Sequence, residues 1–140
     1  MRLRKAWDGS LVTYVTTEPG LEEIVRFAAT NEGQPTPNFI WVTDANLSEK
    51  LPLFRQLIQM FFIVLIQRPD VIITTGAAPG YFALRFGKLI GARTIWIDSI
   101  ANAEELSKSG KEVAKYADLW LTQWEHLARP EGPHHMGSVL

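Results

Sequence analysis

The chain has 140 residues, 46% of them hydrophobic, so it is long enough to bury one core and too short for two ordinary domains. We therefore expect a single domain over residues 1–140. The formal net charge of −1 gives no global attraction to nucleic acid, so no nucleic-acid partner is expected, and the absence of cysteine excludes disulfides and thiolate chemistry.

The first third of the chain predicts a strand, a helix and a second strand. Residues 1–7 alternate basic and apolar side chains and lack the apolar core of a signal peptide. The β-branched run at residues 11–17 predicts a strand, and apolar residues at helical spacing follow over residues 21–28. A polar loop with two prolines then leads to a short predicted strand at residues 38–42.

A predicted helix over residues 48–67 contains the most apolar segment of the chain. Its continuous apolar run, residues 60–66, is well below the roughly 18 to 20 residues that cross a bilayer. The pattern leaves two interpretations open. The favoured one is a helix buried in the core, and the other is a helix that dips its apolar side into a membrane surface.

Two later strands have polar or glycine-rich ends. In residues 70–80, an apolar, β-branched run leads through Gly76 and Pro79 into a helix, which is typical of a buried parallel strand followed by a ligand-facing helix N-terminus. The next predicted strand ends in Asp98 and Ser99, where the loops of open α/β sheets usually meet their ligands.

The rest of the pattern completes an α/β protein with a Rossmann-like, doubly wound parallel sheet. A further helix is expected over about residues 110–116, a strand over residues 118–122 and a short final strand over residues 138–140. The helix that begins near Pro79 is expected to end at Gly91. Four of its apolar residues are expected to face the core: Phe82, Phe86, Leu89 and Ile90.

Residues 70–124 contain five short segments in a fixed order: Thr75-Gly76, Ile97-Asp98-Ser99-Ile100-Ala101, Leu106-Ser107-Lys108-Ser109-Gly110-Lys111, Tyr116-Ala117-Asp118 and Thr122-Gln123-Trp124. In these segments the sequence resembles the bacterial relatives of the Alg14 family, the membrane-associated subunits of two-part glycosyltransferases that extend lipid-linked oligosaccharides. The resemblance implies the N-terminal half of a GT-B glycosyltransferase, with the active site in a cleft shared with an Alg13-like partner. That partner would bind the UDP-sugar, and a polyprenyl-diphosphate-linked sugar would be the acceptor in exopolysaccharide assembly.

The resemblance also implies roles for individual residues. The acceptor cleft would be lined by Thr75, Gly76, Ala77, Asp98, Ser99, Ser107, Ser109 and Lys111. Gln123 and Trp124 would contact the partner subunit. Peripheral contact with the cytoplasmic face of the cell membrane would use Arg2, Arg4, Lys5, Phe61 and Phe62.

Relatives begin with a strand and a Gly-Gly-His loop, whereas residues 1–7 of this sequence correspond to the end of the helix that follows them. The resemblance therefore implies that the first strand and this loop are absent and that the chain supplies no catalytic residue. A histidine there would be the candidate general base, because its pKa lies near the operating pH. No cofactor is expected.

Each candidate residue also has a purely structural interpretation. The loop at Gly76 could face a diphosphate through free N–H groups or form a tight turn, and it lacks the full glycine motifs of nucleotide sites. Asp98 could orient a sugar hydroxyl or cap a loop. The segment at residues 107–111 could contact a diphosphate or be a solvated loop. His134 and His135 lack companion ligands at metal-like spacing, so no metal is expected.

A second function class also fits the pattern, namely a free-standing α/β domain that binds a ligand above Gly76 and Asp98 or acts as a scaffold. Hydrolysis is not favoured, because the sequence has no Gly-x-Ser-x-Gly elbow and no cysteine nucleophile.

Overall fold

The computed structural model describes residues 2–45 and 48–138, and the side chains from residue 5 onward within these ranges. The strands are β1 (Thr13–Thr16), β2 (Asn38–Trp41), β3 (Val71–Thr74), β4 (Arg93–Ile97), β5 (Leu119–Thr122) and β6 (His134–His135). The α-helices are α1 (Leu21–Asn31), α2 (Lys50–Gln67), α3 (Ala77–Leu89) and α4 (Lys108–Val113). Two short 3-10 helices cover Arg2–Trp7 and Glu125–Leu127.

The chain divides into two compact units, an N-terminal unit, Met1–Asp44, and a C-terminal unit, Ala45–Leu140. In the N-terminal unit, β1 and β2 pair in parallel around α1, with Tyr14 opposite Phe39. The rings of these two residues stack at a centroid distance of 5.2 Å, and Trp7 Nε1 donates to the Tyr14 hydroxyl at 3.1 Å. That residues 1–140 form one domain stays a prediction.

The C-terminal unit is built on a four-stranded parallel sheet in the order β3-β4-β5-β6. Helices alternate with the first three strands, so each crossover returns the chain to the same edge of the sheet. The predicted parallel, Rossmann-like α/β architecture is confirmed. The core cluster of this unit contains Leu84 of α3, Trp96 of β4 and Val113 of α4, all fully buried.

Helix α3 approaches the sheet through its smallest residues. A Cβ built on Gly80 would lie 1.9 Å from Thr74 Oγ1, and one built on Gly87 would lie 2.3 Å from Ile72 Cδ1. The buried residues of α3 are Ala78, Gly80, Ala83, Leu84 and Gly87. The predicted core face of this helix is therefore wrong: Phe82 and Phe86 are half-buried, and Leu89 and Ile90 are exposed, because the close contact with β3 selects the glycine side.

Strand β3 is an edge strand of this sheet, which corrects the prediction that it is buried. Val71 and Ile73 are 47% and 39% exposed, while the alternate residues Ile72 and Thr74 lie under α3 and are half-buried. The apolar run predicts burial of both faces, but α3 packs at Gly80 and Gly87 against the face of Ile72 and Thr74, while the face of Val71 and Ile73 is partly exposed.

Helix α2 also differs from its favoured interpretation as a core helix. Its buried residues are Gln56, Met60 and Val64, whereas most of its large apolar side chains are exposed. It is long and apolar enough to cross a membrane by length and composition alone, with a mean hydropathy of 1.3 over 18 residues. Helix α2 packs against α3, and the ring of the partly exposed Phe61 makes an edge contact with the ring of Phe86.

Two predicted elements are shifted. Helix α4 begins at Lys108 instead of near residue 110, because the Ser107 side chain caps its first turn by accepting from the Gly110 N–H at 2.8 Å. The last described strand is β6, at His134–His135, where it pairs with β5. Ser138 is not in a strand, and residues 139–140 of the predicted final strand lie outside the described residues.

A polar cluster links the end of α3 to the amino-terminal ends of β4 and β5. Asp118 accepts from the Lys88 ammonium, from the Thr94 N–H at 2.9 Å and from the Thr94 hydroxyl at 3.0 Å. The Lys88 hydrogen bond is the largest cause that lowers the pKa of Asp118 to about 2, followed by the backbone hydrogen bond from Thr94.

We expect Asp118→Asn to lower the free energy of unfolding at neutral pH by about 1 kcal/mol, because a partly solvated ionic hydrogen bond is lost. The folded-state pKa of Asp118 lies below its ordinary value of 3.8, so this stabilisation is present above about pH 4 and is lost as the pH falls toward 2. Urea unfolding from pH 7 to pH 2 should therefore show the two proteins converging at the acid end.

Glu112→Gln is the matched control, because Glu112 is an exposed carboxylate on α4 whose contact with Lys115 is 3.6 Å long. Its stability should follow that of the unchanged protein at every pH. A difference between Asp118→Asn and the unchanged protein that stays constant down to pH 2 would contradict the assignment.

Candidate functional site

The candidate site is the edge of the C-terminal sheet at which β3, β4 and β5 end. Thr74 lies beside Trp96 in the register of β3 and β4, and Ile97 lies beside Leu121 in that of β4 and β5. Because the three strands are parallel, their following loops share one edge, which is where open α/β sheets usually hold ligands. The structure thus brings the loop after β3, the loop after β4 and the segment after β5 to one place.

The loop after β3 is a tight turn into α3. The Gly76 N–H lies 3.2 Å from Thr74 Oγ1, which in turn lies 3.2 Å from the Gly76 carbonyl oxygen. Gly76 has a φ of 123°, a conformation that a side chain would strain, and Ala77 follows with a φ of 62°. Thr75 and Ala77 are exposed, so the predicted cleft residues of this loop can be reached from solvent.

Asp98 ends β4 as a buried side chain, with 2% of its surface exposed. Its Oδ2 accepts from the Ser107 N–H at 3.0 Å, and its Oδ1 accepts from the Ser107 hydroxyl at 2.8 Å. Asn102 Nδ2 and Trp96 Nε1 add two longer contacts to Oδ1, each at 3.4 Å. The carboxyl group therefore ties the two ends of the loop at residues 98–107 together.

Through these contacts Asp98 positions the loop at residues 98–107. Its contact with a sugar stays a prediction. Ser99 is half-buried, and its hydroxyl accepts from the Ala101 N–H at 3.3 Å, which shapes the start of the same loop. A Cβ built on Gly110 would lie 3.0 Å from Asp98 Oδ1, so α4 also approaches the carboxyl group closely.

The segment after β5 contacts the backbone of the loop at residues 98–107 through three side chains. Gln123, which is buried, donates from Nε2 to the Asp98 carbonyl at 2.9 Å. Trp124 donates from Nε1 to the Ile100 carbonyl at 3.0 Å, and His126 Nε2 lies 2.7 Å from the Ala103 carbonyl. Gln123 and Trp124 thus have intramolecular contacts that sequence reasoning did not anticipate, and their contact with a partner chain stays a prediction.

The segment at residues 107–111, predicted as a loop, is mostly the first turn of α4. Ser107 caps the helix and is committed to Asp98, whereas Ser109 is half-buried. Lys111 is exposed and donates to Glu105 at 2.7 Å, and this hydrogen bond is the main reason that the pKa of Glu105 is lowered. A ligand phosphate would therefore compete with Glu105 for the Lys111 ammonium.

The predicted membrane residues belong to other elements than those that form this edge. Phe61 and Phe62 are exposed on α2. Lys5 is exposed in the N-terminal unit, while the side chains of Arg2 and Arg4 lie outside the described part of the chain. Within residues 2–45 and 48–138, no three histidine, aspartate or glutamate side chains come together as metal ligands would.

The sequence analysis did not anticipate three side chains that hydrogen-bond to Asp98 or to the loop at residues 98–107, namely Trp96, Asn102 and His126. Trp96 precedes Asp98 by two residues, so strand alternation places it on the same face, and this spacing was a usable signal. Asn102 and His126 carry no comparable signal, because their partners are set by how the loop folds.

The fold and this edge define a Rossmann-like α/β protein in which a carboxyl-centred network orders the loop after one strand. The family described as "Oligosaccharide biosynthesis protein Alg14 like" matches residues 41–139, which is more than half of the chain. The chain belongs to the Alg14 family, and the resemblance inferred from its motifs is confirmed. This membership supports a role in oligosaccharide biosynthesis.

The chain is also similar to the "UDP-N-acetylglucosamine transferase subunit ALG14" of Yarrowia lipolytica. The two are 36% identical over 76 residues, which cover 49% of this chain and 35% of the relative. The match thus spans about a third of the length of that curated protein. No solved structure matches the chain.

Proposed function

We propose that the chain is the Alg14-like subunit of a bipartite glycosyltransferase. It binds an Alg13-like catalytic partner at the membrane and helps to present a lipid-diphosphate-linked sugar acceptor for polysaccharide biosynthesis. The observation that carries the proposal is the ordered loop at residues 98–107, which is held by Asp98 and Gln123 within the region that matches the family.

The geometry suits acceptor presentation better than catalysis. Thr75, Gly76 and Ala77 offer an accessible helix N-terminus, whose backbone N–H groups and dipole favour an anion such as a diphosphate. Ser109 and Lys111 stand at the start of α4, after the Asp98-anchored loop. We assign no catalytic residue to this chain, so the donor UDP-sugar and the chemical step belong to the partner.

The same proposal includes peripheral attachment to the cytoplasmic face of the membrane. Lys5 is exposed, as are Phe61 and Phe62, so a cation and two aromatic rings are accessible to lipid. Arg2 and Arg4 add to the cationic character of the sequence at this end. Basic residues attract anionic lipid and apolar side chains insert among its acyl chains.

Sugar transfer from a panel of UDP-sugars to a polyprenyl-diphosphate-linked monosaccharide tests the proposal. Transfer is measured with this chain alone, with a candidate Alg13-like protein alone, and with the two combined. We expect product only in the mixture, and the two proteins should co-purify. A chain that stays monodisperse in the presence of the candidate and supports no transfer would instead be a free-standing ligand-binding or scaffold domain.

A charge variant tests the acceptor site within the same assay. Lys111→Gln should raise the KM for the acceptor about tenfold with little change in kcat, because one ionic hydrogen bond to a diphosphate is lost. Lys115→Gln is the matched control, since Lys115 is an exposed lysine that follows the last turn of α4 and pairs with Glu112. Equal KM values for the two variants would remove Lys111 from the acceptor site.

A further inference from the structure

Helix α2 has a largely exposed apolar side opposite the side that it buries. Gln56, Met60 and Val64 recur at helical spacing and form the buried side. Seven large apolar residues on the other side are between 40% and 80% exposed: Leu51, Phe54, Ile58, Phe61, Phe62, Leu65 and Ile66. We call these seven residues the outer face of α2. A stripe of this size on the surface of a protein marks an interaction site.

The charge around the outer face indicates what covers it. Helix α2 and the residue that follows it, residues 50–68, contain Lys50, Arg55 and Arg68 and no acid, for a net charge of +3, whereas the whole chain has a net charge of −1. Neither α2 nor α3, which pack together, contains an aspartate or a glutamate. An anionic surface is therefore the electrostatic complement of this segment.

The cations nearest the outer face are placed to meet such a surface. Lys50 begins α2, Arg55 lies on its exposed side and Arg68 follows its last turn, and all three are exposed. The two cations of α3 are engaged elsewhere, since Lys88 pairs with Asp118 and Arg85 lies over the Tyr116 ring.

We propose that α2 lies in the plane of an anionic lipid surface, with its outer face among the acyl chains and Lys50, Arg55 and Arg68 at the headgroups. The helix does not span the bilayer, because its other side is buried through Met60 and Val64 and its Phe61 ring contacts Phe86 of α3. A second copy of the chain is a poor occupant, since it would bring two helices of charge +3 together.

This inference deepens the membrane attachment in the proposed function and rests on it for its biological setting. It goes further by assigning the attachment to the whole outer face of α2 and to Arg55, Lys50 and Arg68. Vesicle binding requires neither the partner nor a sugar donor. Failure of the vesicle experiment would therefore leave the transfer result intact, and failure of transfer would leave the vesicle result intact.

The absence of cysteine allows the insertion to be mapped with single labels. Ile58→Cys and Phe62→Cys carry an environment-sensitive fluorophore, and Met136→Cys, at an exposed apolar residue near β6, is the matched control. With vesicles of phosphatidylcholine and phosphatidylglycerol at a ratio of about 3:1, a composition that makes the surface anionic, we expect a blue shift for the two α2 labels and none for the control. Lipids brominated near the headgroup should quench the α2 labels more than lipids brominated near the chain ends.

Three results would overturn the proposal. The first is an unchanged emission from both α2 labels with anionic vesicles. The second is a blue shift that appears without lipid and grows with protein concentration, which would mean self-association. The third is stronger quenching by the deep bromines at both positions, which would mean a spanning helix.

Substitutions at the outer face test the energetics by co-sedimentation with the same vesicles. The double variant Ile58→Ser, Phe62→Ser should lower the partition coefficient of the protein between vesicles and water by more than about tenfold, because two large apolar groups no longer enter the acyl region. Arg55→Gln should weaken it about fivefold on anionic vesicles and leave binding to pure phosphatidylcholine unchanged. Met136→Ser should alter neither, and near-UV circular dichroism should show that every variant is folded.

Discussion

Replacing Gly80 with alanine is expected to lower the free energy of unfolding of the C-terminal unit by about 1–2 kcal/mol. The added Cβ would lie 1.9 Å from Thr74 Oγ1 and 2.9 Å from Thr74 Cβ, so α3 must move away from β3. Overpacking of this kind costs about 1–3 kcal/mol, and the better helix propensity of alanine offsets about 1 kcal/mol. A change of the Thr74 rotamer alone cannot relieve the clash, because Thr74 Cβ, whose position does not depend on the rotamer, is also too close to the added atom.

Urea unfolding followed by tryptophan fluorescence measures the effect. Gly20→Ala is the matched control, because a Cβ at Gly20 meets nothing within 4 Å and its φ is −88°. We expect its stability to stay within about 0.5 kcal/mol of the unchanged protein. Adding Thr74→Ala to Gly80→Ala should recover part of the loss, since the nearest atom is then removed, and no recovery would mean that the clash is not with Thr74.

The order of strands and helices could be predicted because each element carries its own local pattern. The β-branched runs around β1 and β3 have the period or the apolar content of strands, and the structure has strands there. Element boundaries were less predictable. The start of α4 is set by the Ser107 side chain, which is recruited by Asp98 from nine residues away.

Which side of each helix faces the core could not be predicted, because hydrophobicity alone does not specify the distance between a helix and a sheet. The position of α3 is set by Gly80 and Gly87, whose lack of side chains lets it approach Thr74 and Ile72. Leu89 is consequently exposed although it is among the most apolar residues of the helix. The helix α2 shows the same ambiguity, since its pattern suits both a core and a membrane surface.

The candidate site divides in the same way. That Asp98 and Gly76 follow the ends of β4 and β3 could be predicted from sequence, because apolar strands that end in polar or glycine residues are visible in the chain. The burial of Asp98 and its pairing with Ser107 and Gln123 could not, because these contacts join residues 9 and 25 positions apart. Long-range hydrogen bonds of this kind depend on the register of β4 and β5, which the sequence pattern alone does not determine.

Asp98→Asn is expected to lower the free energy of unfolding by about 2–3 kcal/mol and to loosen the loop at residues 98–107. The amide replaces one carboxyl oxygen with an N–H donor, so it must turn that donor toward either the Ser107 N–H or the Ser107 hydroxyl. A buried donor without an acceptor costs about 1–3 kcal/mol, and the longer contacts from Trp96 and Asn102 weaken as well. Amide hydrogen exchange at Ser107 and Gly110 should therefore become faster along with the loss of stability.

Asp70→Asn is the control, because Asp70 is an exposed aspartate just before β3 and its replacement should leave the stability and these exchange rates unchanged. A double-mutant cycle with Ser107→Ala then separates the pair from its surroundings. Ser107 Oγ both donates to Asp98 and accepts from the Gly110 N–H, so the two substitutions should be strongly non-additive. Additive losses would show that Asp98 and the α4 cap act independently, and the loop would then owe its order to Gln123 and Trp124 instead.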